Sequence, residues 1–216
     1  MKHFILVTAF FMLFSGAKAQ DSTKHFELGA TLITADFFSD YSYNHNMPVI
    51  HYCNGLFFRY TKNHLALRAL ANYSQNSFSY NVPPTESDGF TGSEKNKLFT
   101  IGIGGQYSIL NKKDWLYTFV DLSYRNISSI GITRGGFAGV NNSFTATTNG
   151  VNTALGLGFK IKIVKCIYLS PEISNTFFLG NINTTTTPLN YGNTTKYSRM
   201  LVAGSFVAQL HLTVKF

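Results

Sequence analysis

The stretch Val151-Asn152-Thr153-Ala154-Leu155-Gly156-Leu157-Gly158-Phe159-Lys160-Ile161-Lys162-Ile163 decides the fold. Val151, Leu155, Leu157, Phe159, Ile161 and Ile163 oppose Asn152, Gly156, Gly158, Lys160 and Lys162. Side chains on a strand point alternately to its two faces, so this stretch has one apolar and one polar face. Working outward, the same period recurs seven more times. It runs through Phe26 to Leu32, Leu56 to Tyr60, Leu65 to Tyr73, Phe99 to Tyr107, Leu116 to Tyr124, Ile167 to Ile173, and Val202 to Phe216. No stretch after the first 19 residues is apolar for long enough to cross a bilayer as a helix.

The connections alternate as well. Ala35–Val49, Val82–Asn96, Gly135–Thr147 and Asn181–Thr195 are long and polar. Thr61–His64, Asn111–Asp114 and Val164-Lys165 are tight. Short turns on one side and long loops on the other match an outer-membrane barrel. The period alone admits a water-soluble barrel with its apolar face inward. The charges discriminate, because Glu27, Arg59, Arg68, Asp121, Arg125, Lys160 and Glu172 share the polar face and the apolar face has none at mid-strand. The expected fold is all-β: an eight-stranded antiparallel up-and-down transmembrane β-barrel with its polar face inward. Closure removes strand edges that hydrocarbon cannot satisfy.

Composition agrees. Of 216 residues, 13% are charged and 15% are aromatic, which argues against both disorder and a long-helix protein. Residues 1–19 read as a signal peptide: basic Met1-Lys2-His3, apolar Phe4–Phe14, and Ala17-Lys18-Ala19 as the cleavage pattern. Residues 20–216 form the barrel domain. That domain has 16 basic and 10 acidic residues, net +6. It has no basic cluster beyond Lys112-Lys113, and an exported protein meets no chromosome, so nucleic acid is not an expected partner. Cys53 and Cys166 fall at opposite ends of the strand pattern and are not expected to pair.

The strands Asn54-Gly55-Leu56-Phe57-Phe58-Arg59-Tyr60 and Tyr168-Leu169-Ser170-Pro171-Glu172-Ile173, with terminal Phe216, resemble the small outer-membrane barrels of Bacteroidota. That is the PorT-like, or outer membrane protein beta-barrel, family, with OmpX and OmpA-type barrels as relatives. The resemblance covers the whole mature chain. It implies an outer-membrane location and no defined active site. It also implies contact with outer-membrane lipid and lipopolysaccharide, and a partner at the outer loops or periplasmic turns. Phe216, aligned with Leu210, Leu212 and Val214, looks like the assembly signal read by the barrel-insertion machinery.

The candidate site is a lumen charge network of Glu27, Arg59, Arg68, Asp121, Arg125 and Glu172. Eight strands enclose an interior that side chains can fill, so the network reads as a salt-bridged plug or as an ion path. The leading role is structural or interactive, with a subunit of a secretion or surface assembly as one form of it; a small channel for ions or small solutes is the alternative. A lipid A-modifying enzyme is the second alternative, and would draw on His45, His51, Ser39, Ser42, Ser79 or Ser87. No spacing joins these, so no catalytic residue is assigned. The histidines are scattered, and no metal or cofactor is expected. Asp36 and Asp40 read as first-loop carboxylates, and Phe90, Phe137, Phe144, Tyr191 and Thr184–Thr187 as loop residues.

Overall fold

The computed structural model describes residues 26–37, 49–82, 89–110, 115–135, 141–189 and 192–216. The signal-peptide reading, the Asn111–Asp114 turn, and Asp40, His45, Ser39, Ser42, Ser87, Phe137 and Tyr191 lie outside them. The strands are β1 (Phe26–Asp36), β2 (Val49–Lys62), β3 (Leu65–Val82), β4 (Phe90–Ser108), β5 (Leu116–Gly135), β6 (Asn142–Phe159), β7 (Ile161–Val164), β8 (Ile167–Pro188) and β9 (Thr195–Lys215). Every pairing is antiparallel.

The pairings return on themselves. Neighbours run β6-β5-β4-β3-β2-β1-β9-β8, and β8 pairs with β6 again. The short β7 continues β6 past Lys160, and both lie on β8. Nine segments therefore make the expected eight positions around a closed up-and-down barrel.

Facing follows the sequence pattern. Four strands carry a nine-residue outward belt: Leu65–Tyr73, Phe99–Tyr107, Leu116–Tyr124 and Val151–Phe159. A transmembrane strand needs about 9–11 residues. No charged side chain lies on the outward face of these belts. Leu67, Ile103, Leu122 and Leu155 are each more than half exposed, whereas Arg59, Arg68 and Glu27 are fully buried. Water would reverse this arrangement and hydrocarbon requires it. Aromatics gather at the short-turn end, where Phe26 meets Tyr60 at 4.8 Å and Trp115 meets Phe159 at 5.9 Å.

Interior glycines make room for the filling. A Cβ on Gly158 would stand 2.4 Å from the Tyr117 ring, and one on Gly156 would stand 2.4 Å from the Phe119 ring. Large rings from β5 thus cross toward bare backbone on β6. Gly105 faces outward into open space.

The long polar stretches differ from expectation. Phe90–Asn96 belongs to β4, Asn142–Thr147 to β6, and Asn181–Pro188 to β8. Phe90, Phe144 and Thr184–Thr187 are therefore strand residues. Beyond the belt the outward face meets water in place of hydrocarbon, so apolar alternation is lost while backbone pairing continues. β3, β4 and β6 each continue for about nine more residues, or about 30 Å along the strand. β1 and β2 are shorter and disturbed: β1 carries a register shift between Thr31 and Ile33, and Cys53 of β2 has a φ of +46°. Cys53 and Cys166 are free.

Candidate functional site: a sealed charge cluster inside the barrel

Inward-facing positions of six strands converge at the short-turn half of the barrel. β1 supplies Glu27 and Thr31, β2 Phe57 and Arg59, β3 Arg68, β5 Tyr117, Phe119 and Asp121, β8 Glu172, and β9 His211. Each sits where the two-residue period turns it away from lipid.

Glu172 is the hub. Arg68 donates to both of its oxygens, at 3.1 Å and 2.7 Å. The Tyr117 hydroxyl donates to Oε1 at 2.6 Å. Arg59 lies 3.6 Å from Oε1, and His211 Nε2 lies 3.3 Å from Oε2. Arg68 Nε faces Asp121 at 3.0 Å. Arg59 pairs with Glu27 at 3.1 Å and donates to the Tyr117 oxygen at 3.1 Å. Lys160, beside the β6–β7 break, reaches the other oxygen of Glu27. Three basic side chains, Arg59, Arg68 and Lys160, thus meet three carboxylates, Glu27, Asp121 and Glu172.

Aromatic rings fill the gaps. The Arg68 guanidinium lies 4.0 Å from the Phe119 ring centre, and Arg59 lies 4.9 Å from both Phe57 and Tyr117. His211 stacks on Phe57 at 4.4 Å. Bidentate Arg–carboxylate pairing and cation–π contact suit guanidinium groups withdrawn from water. Breaking one such pair leaves an uncompensated buried charge, which costs far more than the pair contributes.

Five of the six expected lumen residues meet here. Arg125 does not: it pairs with Asp36 at 3.5 Å, farther toward the long-hairpin end. It lies four residues along β5 from Asp121, two inward positions away. Asp36 is accordingly not a solvated loop carboxylate. It ends β1, is buried, and accepts a hydrogen bond from Ser205. His51 is also in a strand, buried, with Nδ1 3.2 Å from the Asn76 amide.

Tyr117, His211 and Thr31 were not singled out by charge pattern alone. Parity was the available signal: Tyr117 shares the face of Asp121, and His211 shares that of Gln209 and Thr213. Thr31, His211 and Glu172 stand in hydroxyl–imidazole–carboxylate order, with Thr31 Oγ1 3.1 Å from Nδ1. A hydrolytic triad uses that order with an accessible nucleophile. Here Thr31 is 0% exposed and His211 1%. The hydroxyl instead packs against Asn72 at 3.4 Å. Ser79 is exposed on β3, away from this cluster. Among the described residues no group of three His, Cys, Asp or Glu is arranged to hold a metal ion.

No family model and no curated protein matches the sequence. Solved structures match the fold. The outer membrane protein OprG from Pseudomonas aeruginosa superposes with a TM-score of 0.51 at 10% identity, covering 89% of this chain and 96% of that one. CarO of Acinetobacter baumannii gives 0.48 at 10% identity, over 91% and 100% of the chains. The attachment invasion locus protein Ail of Yersinia pestis gives 0.46 at 10% identity, over 89% and 97%. The likeness to OprG shows a shared fold. With the outward apolar belt and inward charges, it defines the class: a small transmembrane β-barrel of the outer-membrane type.

Proposed function

We propose that this chain is an integral outer-membrane barrel with a structural or interaction role and a lumen closed to ions and solutes. The carrying observation is the burial of Arg59, Arg68, Glu27, Glu172, His211 and Tyr117, each at 3% exposure or less, across the inside of the barrel. An eight-stranded interior is just wide enough for side chains to fill, and these fill it. The small-channel reading requires water where those side chains pack. The lipid A-modifying reading requires an accessible nucleophile beside a base, and the one hydroxyl–imidazole contact among the described residues, Thr31 with His211, is sealed.

Under this reading the short turns face the periplasm and the long hairpins face outward. The polar walls above the belt are then the surface offered to a partner, because exposed connecting regions carry function more often than the scaffold does. The resemblance to PorT-like barrels of Bacteroidota supports a place in a secretion or surface assembly. Residues 1–19 serve as the cleaved export signal, and Phe216 as the signal for the barrel-insertion machinery.

Planar-bilayer recording on the purified, folded protein tests the closed lumen. Wild type is expected to give no stepwise openings. Regular openings of uniform size would support the channel reading instead.

A further inference from the structure

β9 outruns its neighbour on one side. Among the described residues it pairs with β1 only from Lys215 to Val207, with one further bond from the Phe37 amide to the Phe206 carbonyl. From Thr195 to Ser205 it pairs with β8 alone, in unbroken register. This stretch is an open strand edge without proline or bulge, two of the devices that usually blunt one. Its middle, Met200-Leu201-Val202-Ala203-Gly204, is apolar on both parities. Such a run belongs to a strand covered on both faces. Yet Met200 and Val202 are 68% and 67% exposed.

Three nearby covers fall short. Lipid ends too low: Val202 stands about 46 Å along β9 from Phe216, or about 35 Å of height at a tilt of about 40°, against an apolar band of about 25 Å. The chain between Asp36 and Val49 is too short to line the edge. With a turn and a return to β2, about five of its residues can rise along β9, about 17 Å of an edge about 36 Å long. A second copy in the same membrane is misdirected. Its β9 descends toward the short turns as this one does, so the two edges cannot meet as an antiparallel pair.

Charge narrows the remaining occupant. Lys196 and Arg199 stand at the outer end of the apolar run, with Arg199 6.0 Å from the Tyr197 ring centre. Among the described residues no carboxylate pairs with either. We propose that the β9 edge takes up an extended segment of a partner protein as an added antiparallel strand. That segment is apolar beside Met200–Gly204 and acidic where it passes Arg199 and Lys196, and it continues the line of β1 away from the membrane. Backbone bonds along the edge give affinity, and side chains on alternate faces give specificity. The inference rests on the interaction role proposed above and names the shape and charge of the partner.

The test uses the full folded protein in lipid nanodiscs, with amide hydrogen exchange along β9 as the readout. The probe is the peptide Val-Thr-Val-Ile-Val-Glu-Thr-Thr-Glu, whose glutamates fall opposite Arg199 and Lys196. One control peptide carries lysine for both glutamates, and another carries N-methyl groups throughout its backbone. The amides of Thr195–Ser205 that are not bonded to β8 are expected to exchange fast in the free protein and to be protected by the probe. The lysine peptide should bind about 10-fold more weakly, since two cross-strand charge pairs change sign, and K196E/R199E should reverse that preference. The N-methylated peptide should give no protection. Protection by the N-methylated peptide, equal binding of the glutamate and lysine peptides, or no protection by any peptide would overturn the added strand. Edge amides already protected in the free protein would overturn it too, because the edge would then be taken. Failure of the proposed function looks different: the protein would open stepwise in bilayer recordings or would not insert into lipid, whatever its edge amides do.

Discussion

At the scale of single residues, Glu172 concentrates the interior energetics. Two arginines, a tyrosine and a histidine converge on its two oxygens, so removing it strands several donors at once. Glu172→Ala is expected to lower stability by about 3–5 kcal/mol, read as a shifted urea midpoint in detergent. Arg125→Ala should cost clearly less, because its 3.5 Å ion pair with Asp36 is longer and less buried than the Arg68–Glu172 pair. Equal losses would argue against a hub at Glu172. Glycines give a paired prediction. Gly158→Ala should destabilise, since its new methyl would meet the buried Tyr117 ring at 2.4 Å. Gly105→Ala, which meets nothing within 4 Å, should be neutral by the same melting measurement. Most of the cluster was legible because charge on one parity of a strand must point inward in lipid. Arg125 shows the limit: parity assigns a face and leaves height undetermined. Asp36 and His51 were hidden because they sit where strand gives way to connection, and polar residues there look like loop.

At the scale of elements, the belts were readable and the walls above them were not. Leu65–Tyr73 and Val151–Phe159 alternate because one face meets hydrocarbon. Ser143–Thr147 and Thr184–Thr187 pair just as regularly, yet water in place of hydrocarbon on the outward face removes the pattern that would reveal them. Their β-branched threonines were the remaining clue. The distinction is testable by inserting charge. Leu122→Arg or Leu157→Arg places a guanidinium in the belt and should cost about 2–4 kcal/mol, seen as reduced assembly of the heat-resistant barrel. Thr145→Arg, on the outward face of the same strand as Leu157 but above the belt, should assemble normally. Loss of assembly for Thr145→Arg would mean that the apolar layer extends farther than the belt.

At the scale of the whole molecule, closure depends on two seams. β1 joins β9 through pairs from Glu27–Lys215 to Asp36–Val207, and β6 joins β8 along seventeen consecutive pairs. The Phe216 amide donates to the Phe26 carbonyl at 2.8 Å, adding a last bond beside the first seam. Deleting Phe216 should therefore lower the level of protein in the outer membrane while leaving export intact, as read by cell fractionation. Unaltered levels would remove its role as an assembly signal. Eight positions were countable in the sequence because each strand carries its own alternation. The break at Lys160 was not, since Phe159, Ile161 and Ile163 keep the period through it.

The central claim is that this barrel is inside out, with lipid at the alternating apolar positions. A single tryptophan in a Trp115→Phe background, moved in turn to Leu122, Leu155 and Ile130, tests it in vesicles of bromine-labelled lipid. Strong quenching is predicted at Leu122 and Leu155 by bromines near the chain middle, with little at Ile130 above the belt. Unquenched tryptophan at Leu122 and Leu155 in a folded barrel would contradict the account.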